Sequence, residues 1–140
     1  MIRLEHANLL VNDIQQSQAF LQTAFPHWRV RDEADYEWYG QPRHWLHLGD
    51  DYNYVTLCSG AQGIARDNKG KQPGVAHLGF EVNDIEALVS RMTAAGYQDL
   101  YGGISRSEFR RNVYYLDPTG IEFEFVQYLS DIPAQRNQTE

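Results

Sequence analysis

The sequence predicts an α+β fold made of two tandem βαβββ modules. Three observations carry that expectation. First, His6-Ala7-Asn8-Leu9-Leu10-Val11-Asn12-Asp13-Ile14 and His77-Leu78-Gly79-Phe80-Glu81-Val82-Asn83-Asp84-Ile85 share the skeleton H-x-x-x-x-V-N-D-I. Second, the offset of 77 − 6 = 71 is about half of the 140 residues, so one supersecondary unit is repeated. Third, each copy starts as a run of β-formers and switches to helical spacing straight after an aspartate.

The elements follow in order. Ile2 to Val11 and Val75 to Val82 read as strands. Asp13 and Asp84 stand where a helix N-cap belongs, because a short carboxylate accepts from the first unpaired backbone N–H groups. Ile14, Phe20, Leu21 and Phe25 then recur at helical spacing, as do Ile85, Leu88, Val89 and Met92. Pro26 stops the first helix and Gly96 caps the second. Three strands are expected after each helix: near Trp28–Arg31, Arg43–Leu48 and Tyr52–Cys58, then near Asp99–Tyr101, Asn112–Leu116 and Ile121–Tyr128. Asp117-Pro118-Thr119-Gly120 is a turn signal between the last two. Module one is thus about 1–60, the Gly- and polar-rich stretch 61–74 a linker, module two about 75–128, and 129–140 a polar tail expected to fray.

Composition narrows the function. A net charge of −7 argues against nucleic acid and against an anionic membrane surface, both of which need clustered Lys and Arg. No apolar run approaches the length of a membrane span. The lone Cys58 excludes an intrachain disulfide and suits a reducing cytoplasm, the expected location.

Side chains alternate across a strand, so parity assigns faces. Ala76, Leu78, Phe80 and Val82 form an apolar set that should face the helices, which turns His77 the other way. Ile121, Phe123 and Phe125 likewise leave Glu122 and Glu124 opposite. Ala7, Leu9 and Val11 leave His6 and Asn8 opposite, and Val55 and Leu57 leave Tyr52, Tyr54, Thr56 and Cys58. His6, Thr56, His77 and Glu124 therefore belong to non-helical faces. Two imidazoles and a carboxylate are a donor set for a divalent transition metal with positions left for water or substrate. Taken singly, a strand histidine is usually structural, and Glu122 and Glu124 read as a solvated face.

With Tyr114-Tyr115-Leu116-Asp117-Pro118-Thr119-Gly120-Ile121-Glu122-Phe123-Glu124 added, the chain from Ile2 to about Tyr128 resembles the vicinal oxygen chelate superfamily. That group includes glyoxalase I, fosfomycin-resistance, methylmalonyl-CoA epimerase, bleomycin-resistance and extradiol dioxygenase proteins. The resemblance implies a cupped mixed sheet with helices outside, around one divalent ion (Mn, Fe, Ni, Zn or Co) held by His6, His77 and Glu124. It also implies a homodimer, with the site built within one chain or across two. Glyoxalase I and epimerase members carry a further Glu or Gln where this chain has Thr56, which favours three protein ligands. Fosfomycin enzymes use a lysine near the metal, and no lysine follows Lys71 here. Tyr114 is the candidate catalytic residue. Asn8, Trp45, His47, Tyr54, Thr56 and Ser107 are candidate substrate contacts.

Three functions stay open. The first is a metal-dependent enzyme on a small substrate with adjacent oxygens: lyase, isomerase, thiol transferase or ring-cleaving dioxygenase. The second is a metal-free sequestering protein of the bleomycin-resistance type. The third is an interaction module without chemistry. The His/His/Glu set favours the first.

Overall fold

Both copies of the repeated phrase begin a βαβββ unit. The computed structural model describes residues 1–138, and the chain divides into a unit spanning Met1–Ile64 and another starting at Ala65. The first holds β1 (Asn8–Leu10), α1 (Ile14–Ala24), β2 (Arg29–Trp38), β3 (Gln41–Gly49) and β4 (Tyr54–Cys58), with sheet order β1-β4-β3-β2. The second holds β5 (Leu78–Glu81), α2 (Ile85–Ala94), β6 (Asp99–Arg106), β7 (Arg110–Leu116) and β8 (Glu122–Tyr128), ordered β5-β8-β7-β6, and ends in α3 (Pro133–Arg136). In each sheet the first strand is parallel to the last and the other pairs are antiparallel.

The duplicated aspartates cap both helices. Asp13 accepts from the backbone N–H of Gln16, and Asp84 from that of Ala87, each at 3.0 Å. At the far end of α2, Gly96 takes φ +89°; its N–H reaches the Thr93 carbonyl and that of Tyr97 reaches Met92. That double closure needs a left-handed residue, which glycine supplies without a Cβ penalty. Phe25 caps α1 just before Pro26.

Each unit has its own core. Phe20, Leu21 and Ala24 of α1 are buried, as are Leu46, Leu48, Val55 and Leu57 of β3 and β4. In the second unit Ile85, Leu88 and Met92 are buried, with Val113, Tyr115, Phe123 and Phe125. Each large apolar side chain so placed contributes about 1.5–3 kcal/mol. Val11, Val55, Leu57, Phe123 and Phe125 are buried as expected, but so are Thr56, Cys58, Glu122 and Glu124 at the alternate positions, so both faces of β4 and β8 are covered.

Several expectations need correction. Strand β1 is three residues long rather than ten, because its ladder with β4 begins only at Asn8, preceded by a single bond from Thr56 N–H to the Ala7 carbonyl. Ile2 and Leu4 are exposed. Strand β5 is likewise shorter, at four residues. Strands β2 and β3 are longer than expected, since Tyr39 (φ +51°) and Gly40 (φ +75°) make a tight hairpin turn. Cys58, placed on an open face, is fully buried with the Tyr36 hydroxyl 3.0 Å from its sulfur. The tail is not frayed over its first part: Pro133 opens α3, Arg136 reaches Glu81 at 2.8 Å, and its guanidinium lies 4.1 Å from the Tyr128 ring centroid. Thr139 and Glu140 lie outside the described residues.

Two stability measurements test this architecture. Asp13→Ala and Asp84→Ala should each cost about 1 kcal/mol by chemical denaturation, equal within error because the caps are equivalent. Burial pushes the Tyr115 phenol from its ordinary 10.0 up to about 12. The unfolded chain therefore releases this proton first, so the contribution is whole below pH 10 and is lost between pH 10 and about 12. Tyr115→Phe should remove roughly 2–3 kcal/mol of that alkaline loss.

Candidate functional site

The Asp117-Pro118-Thr119-Gly120 turn decides where Glu124 goes. The Asp117 carboxylate accepts from the backbone N–H groups of Thr119, Gly120 and Ile121 at 2.9–3.0 Å. Asp117 N–H also bonds the Ile121 carbonyl at 2.9 Å, closing the turn. β8 leaves it in a fixed register: Glu124 lies opposite Tyr114 on β7 and Gly79 on β5.

That register gathers a polar group on one face of the second sheet. His77 Nε2 is 3.1 Å from Glu124 Oε2. The other oxygen, Oε1, accepts from Arg110 at 2.7 Å and from Asn112 at 3.1 Å. The Tyr114 ring stands edge-on to His77, with centroids 5.5 Å apart. Burial, then the Glu124 charge, raises the Tyr114 phenol above its ordinary value, so it is a protonated donor at neutral pH. Gly79 lies beside Glu124, where a Cβ would make an ordinary contact 3.8 Å from Oε2. Glu122 and Glu124 are buried, not solvated. Their carboxylates are held by neighbours on the same face: Tyr101 donates to Glu122 at 2.8 Å, as Arg110 and Asn112 do to Glu124.

The donor chemistry suits a divalent ion. Two ligand atoms about 2.1 Å from one ion and at right angles stand about 3.0 Å apart. His77 Nε2 and Glu124 Oε2 match that spacing at 3.1 Å. Arg110 and Asn112 occupy Oε1 and leave Oε2 turned to His77, the kind of support that orients a ligating carboxylate. Among the described residues, no three His, Cys, Asp or Glu side chains gather as a metal-holding group.

The first sheet carries a different group. His6 precedes β1; its Nδ1 bonds the Glu5 carboxylate and lies 3.2 Å from the Tyr54 hydroxyl. Its ring stacks on Tyr54, with centroids 5.1 Å apart and planes 12° from parallel. Tyr54 donates to Glu5 at 2.9 Å, and that bond, ahead of burial, raises its phenol above the ordinary value. His47 and Thr56 face each other in register and share a 2.8 Å hydrogen bond through His47 Nδ1. Burial, then the neighbouring His6, lowers the His47 imidazole below its ordinary value, which favours its neutral form at pH 7. Trp45 packs on His47 at 4.5 Å. Asn8 lies opposite Thr56 in β1–β4, the position Gly79 holds opposite Glu124 in β5–β8. Thr56 is therefore the structural equivalent of Glu124.

Of the residues named from sequence, His6, Tyr54, His47, Thr56 and Trp45 cluster within the first unit, and His77, Tyr114 and Glu124 within the second. Ser107 sits in the β6–β7 turn, where its N–H and hydroxyl both bond the Arg110 carbonyl. Asn112, Tyr101 and Glu5 did not stand out in the sequence, and Glu122 read only as part of a solvated face. Parity from Tyr114 would have found Asn112 and Arg110, two and four residues back on β7. Nothing in the sequence pairs Tyr101 with Glu122, because a bulge intervenes.

The fold has counterparts among solved structures. A glyoxalase/bleomycin resistance protein/dioxygenase domain from Frankia sp. EAN1pec matches with TM-score 0.76 at 16% identity, covering 99% of each chain. The fosfomycin resistance protein FosX from Mesorhizobium loti matches with TM-score 0.69 at 17% identity, covering 99% of this chain and 100% of that one. A point mutant of FosX from Listeria monocytogenes, complexed with Mn(II) and 1S,2S-dihydroxypropylphosphonic acid, matches with TM-score 0.65 at 18% identity, covering 99% and 100%. At these identities the likeness speaks for the fold. No curated protein matches the sequence. The sequence pattern of one family matches residues 3–125, nearly the whole of both units. The chain belongs to the Glyoxalase/Bleomycin resistance protein/Dioxygenase superfamily.

Proposed function

We propose that this chain is a divalent-metal-dependent enzyme acting on a small substrate with adjacent oxygens, as a lyase, isomerase, thiol transferase or ring-cleaving dioxygenase. The observation that carries the reading is the His77–Glu124 pair, set at ligand spacing with the outer carboxylate oxygen already held. Glu124 and His77 are the ligands from the second unit, and His6 is the third. The Mn(II) in the Listeria monocytogenes complex supports a metal of this class. The residues do not by themselves choose among Mn, Fe, Ni, Zn and Co.

A divalent ion so held supplies Lewis-acid stabilisation of negative charge on substrate oxygens. The remaining chemistry belongs to side chains. Arg110 and Asn112 fix the Glu124 carboxylate. Tyr114, kept protonated, is the catalytic hydrogen-bond donor to a substrate oxygen that gains charge. His47, kept neutral with Nδ1 tied to Thr56, presents Nε2 for a hydrogen bond to substrate. Asn8, Trp45, Tyr54, Thr56 and Ser107 complete the proposed substrate contacts, with Trp45 and Tyr54 as apolar wall. A homodimer in the cytoplasm completes the proposal; no described helix is long and apolar enough to cross a membrane.

One observation favours a second reading. Arg110 neutralises Glu124 without any metal, which suits a metal-free sequestering protein.

Metal analysis separates the two. Untagged protein should carry about one ion per chain, and His77→Ala should lose it while keeping its circular dichroism. Protein that stays free of metal after dialysis against each of the five ions would sink the enzyme reading. Arg110→Ala leaves a buried carboxylate without its charged donor. It should lower unfolding stability by about 1.5–3 kcal/mol, measured with the metal stripped.

A further inference from the structure

A histidine that ligates a metal gives one nitrogen's lone pair to the ion. The other nitrogen then carries the proton and needs an acceptor, which fixes both tautomer and ring orientation. His77 stands between two buried carboxylates. Its Nε2 faces Glu124 Oε2 at 3.1 Å, and its Nδ1 faces Glu122 Oε2 at 3.8 Å. The Glu122 and Glu124 side chains are 7% and 8% exposed. A carboxylate this deep is costly unless something holds it. For Glu122 the holder is Tyr101, whose hydroxyl donates to Oε1 at 2.8 Å and leaves Oε2 toward the imidazole.

Tyr101 reaches that place through unusual backbone. It takes φ +57°, followed by Gly102 at +84° and Gly103 at +94°. The β6–β7 ladder loses register there, between Leu100 and Ser105. A left-handed tyrosine costs about 1–3 kcal/mol and persists where its surroundings over-determine it. Here the bulge aims a phenol, from a residue itself mostly exposed, at the carboxylate behind His77.

We infer that Glu122, anchored by Tyr101, is a positioning residue for His77: it accepts a hydrogen bond from Nδ1–H and thereby presents Nε2 to a metal. At 3.8 Å the contact is longer than a hydrogen bond, and a bound metal would be expected to close it to one. This rests on the metal reading above. Glu122 is not a ligand and does not touch substrate.

The test is calorimetric titration of metal-stripped protein with Mn²⁺, beside long-range ¹H–¹⁵N spectra of the His77 ring with Zn²⁺. Glu122→Met keeps the bulk and removes the acceptor. It should bind Mn²⁺ about 10–100-fold more weakly and lose the fixed Nδ1–H signal. Glu122→Gln keeps an oxygen facing Nδ1 and should fall closer to the native affinity. Tyr101→Phe, at an exposed position that tolerates the change, should lose affinity several-fold and serves if Glu122→Met does not fold. Native protein that binds Mn²⁺, with Glu122→Met or Tyr101→Phe binding within twofold of it, overturns the inference alone. Native protein that binds no Mn²⁺ overturns the metal reading, and this inference with it.

Discussion

The register of β8 between β5 and β7 is the constraint on which the second unit's chemistry depends. Side chains alternate with period two, so a one-residue slip would put Phe123 or Phe125 where Glu124 stands and bury the carboxylate among Phe80 and Tyr115. Three backbone N–H groups on the Asp117 carboxylate prevent that slip. Bonds from neutral donors to a charged acceptor are stronger than neutral pairs, so the turn holds its shape against the strands it joins. Everything that meets at His77 follows: Gly79 beside Glu124, Asn112 and Arg110 on the adjoining strand, Tyr114 across from it.

The two sheets are built alike and furnished differently. Asn8 opposite Thr56 matches Gly79 opposite Glu124. One sheet thus offers a carboxylate at that place, and the other a hydroxyl already engaged by a neutral imidazole. The first face also carries a chain of ring contacts, with Trp45, His47, Tyr54 and His6 in succession. The duplication fixed positions; the residues at those positions then diverged into a charged half and an aromatic half.

Much of this is legible in the sequence because it depends on local period. The two aspartate caps, the Gly96 closure and the face on which each of His77 and Glu124 lies follow from spacing along a single element; that the two meet follows from the register of β8 against β5. Length is harder to read. β1 and β5 are shorter than their β-forming runs because the ends of an edge strand depend on where its partner starts. β2 and β3 are longer than theirs because Tyr39 in left-handed backbone is not a usual turn signal. The supporting residues are the least visible. Arg110 is one of two adjacent arginines, and only counting back from Tyr114 by strand parity tells which of them shares the Glu124 face. Tyr101 meets Glu122 across a bulge that strand parity does not anticipate.

The parallel pairs have a kinetic meaning. Asn8 joins Thr56 across 56 − 8 = 48 residues, and Gly79 joins Glu124 across 124 − 79 = 45. The β2–β3 and β6–β7 hairpins close over far shorter spans, so loop entropy delays β1 and β5 until the rest of each sheet exists. Both repeated histidines directly precede those late strands. A nascent half therefore holds its Glu124 carboxylate or Thr56 hydroxyl in place before its imidazole arrives.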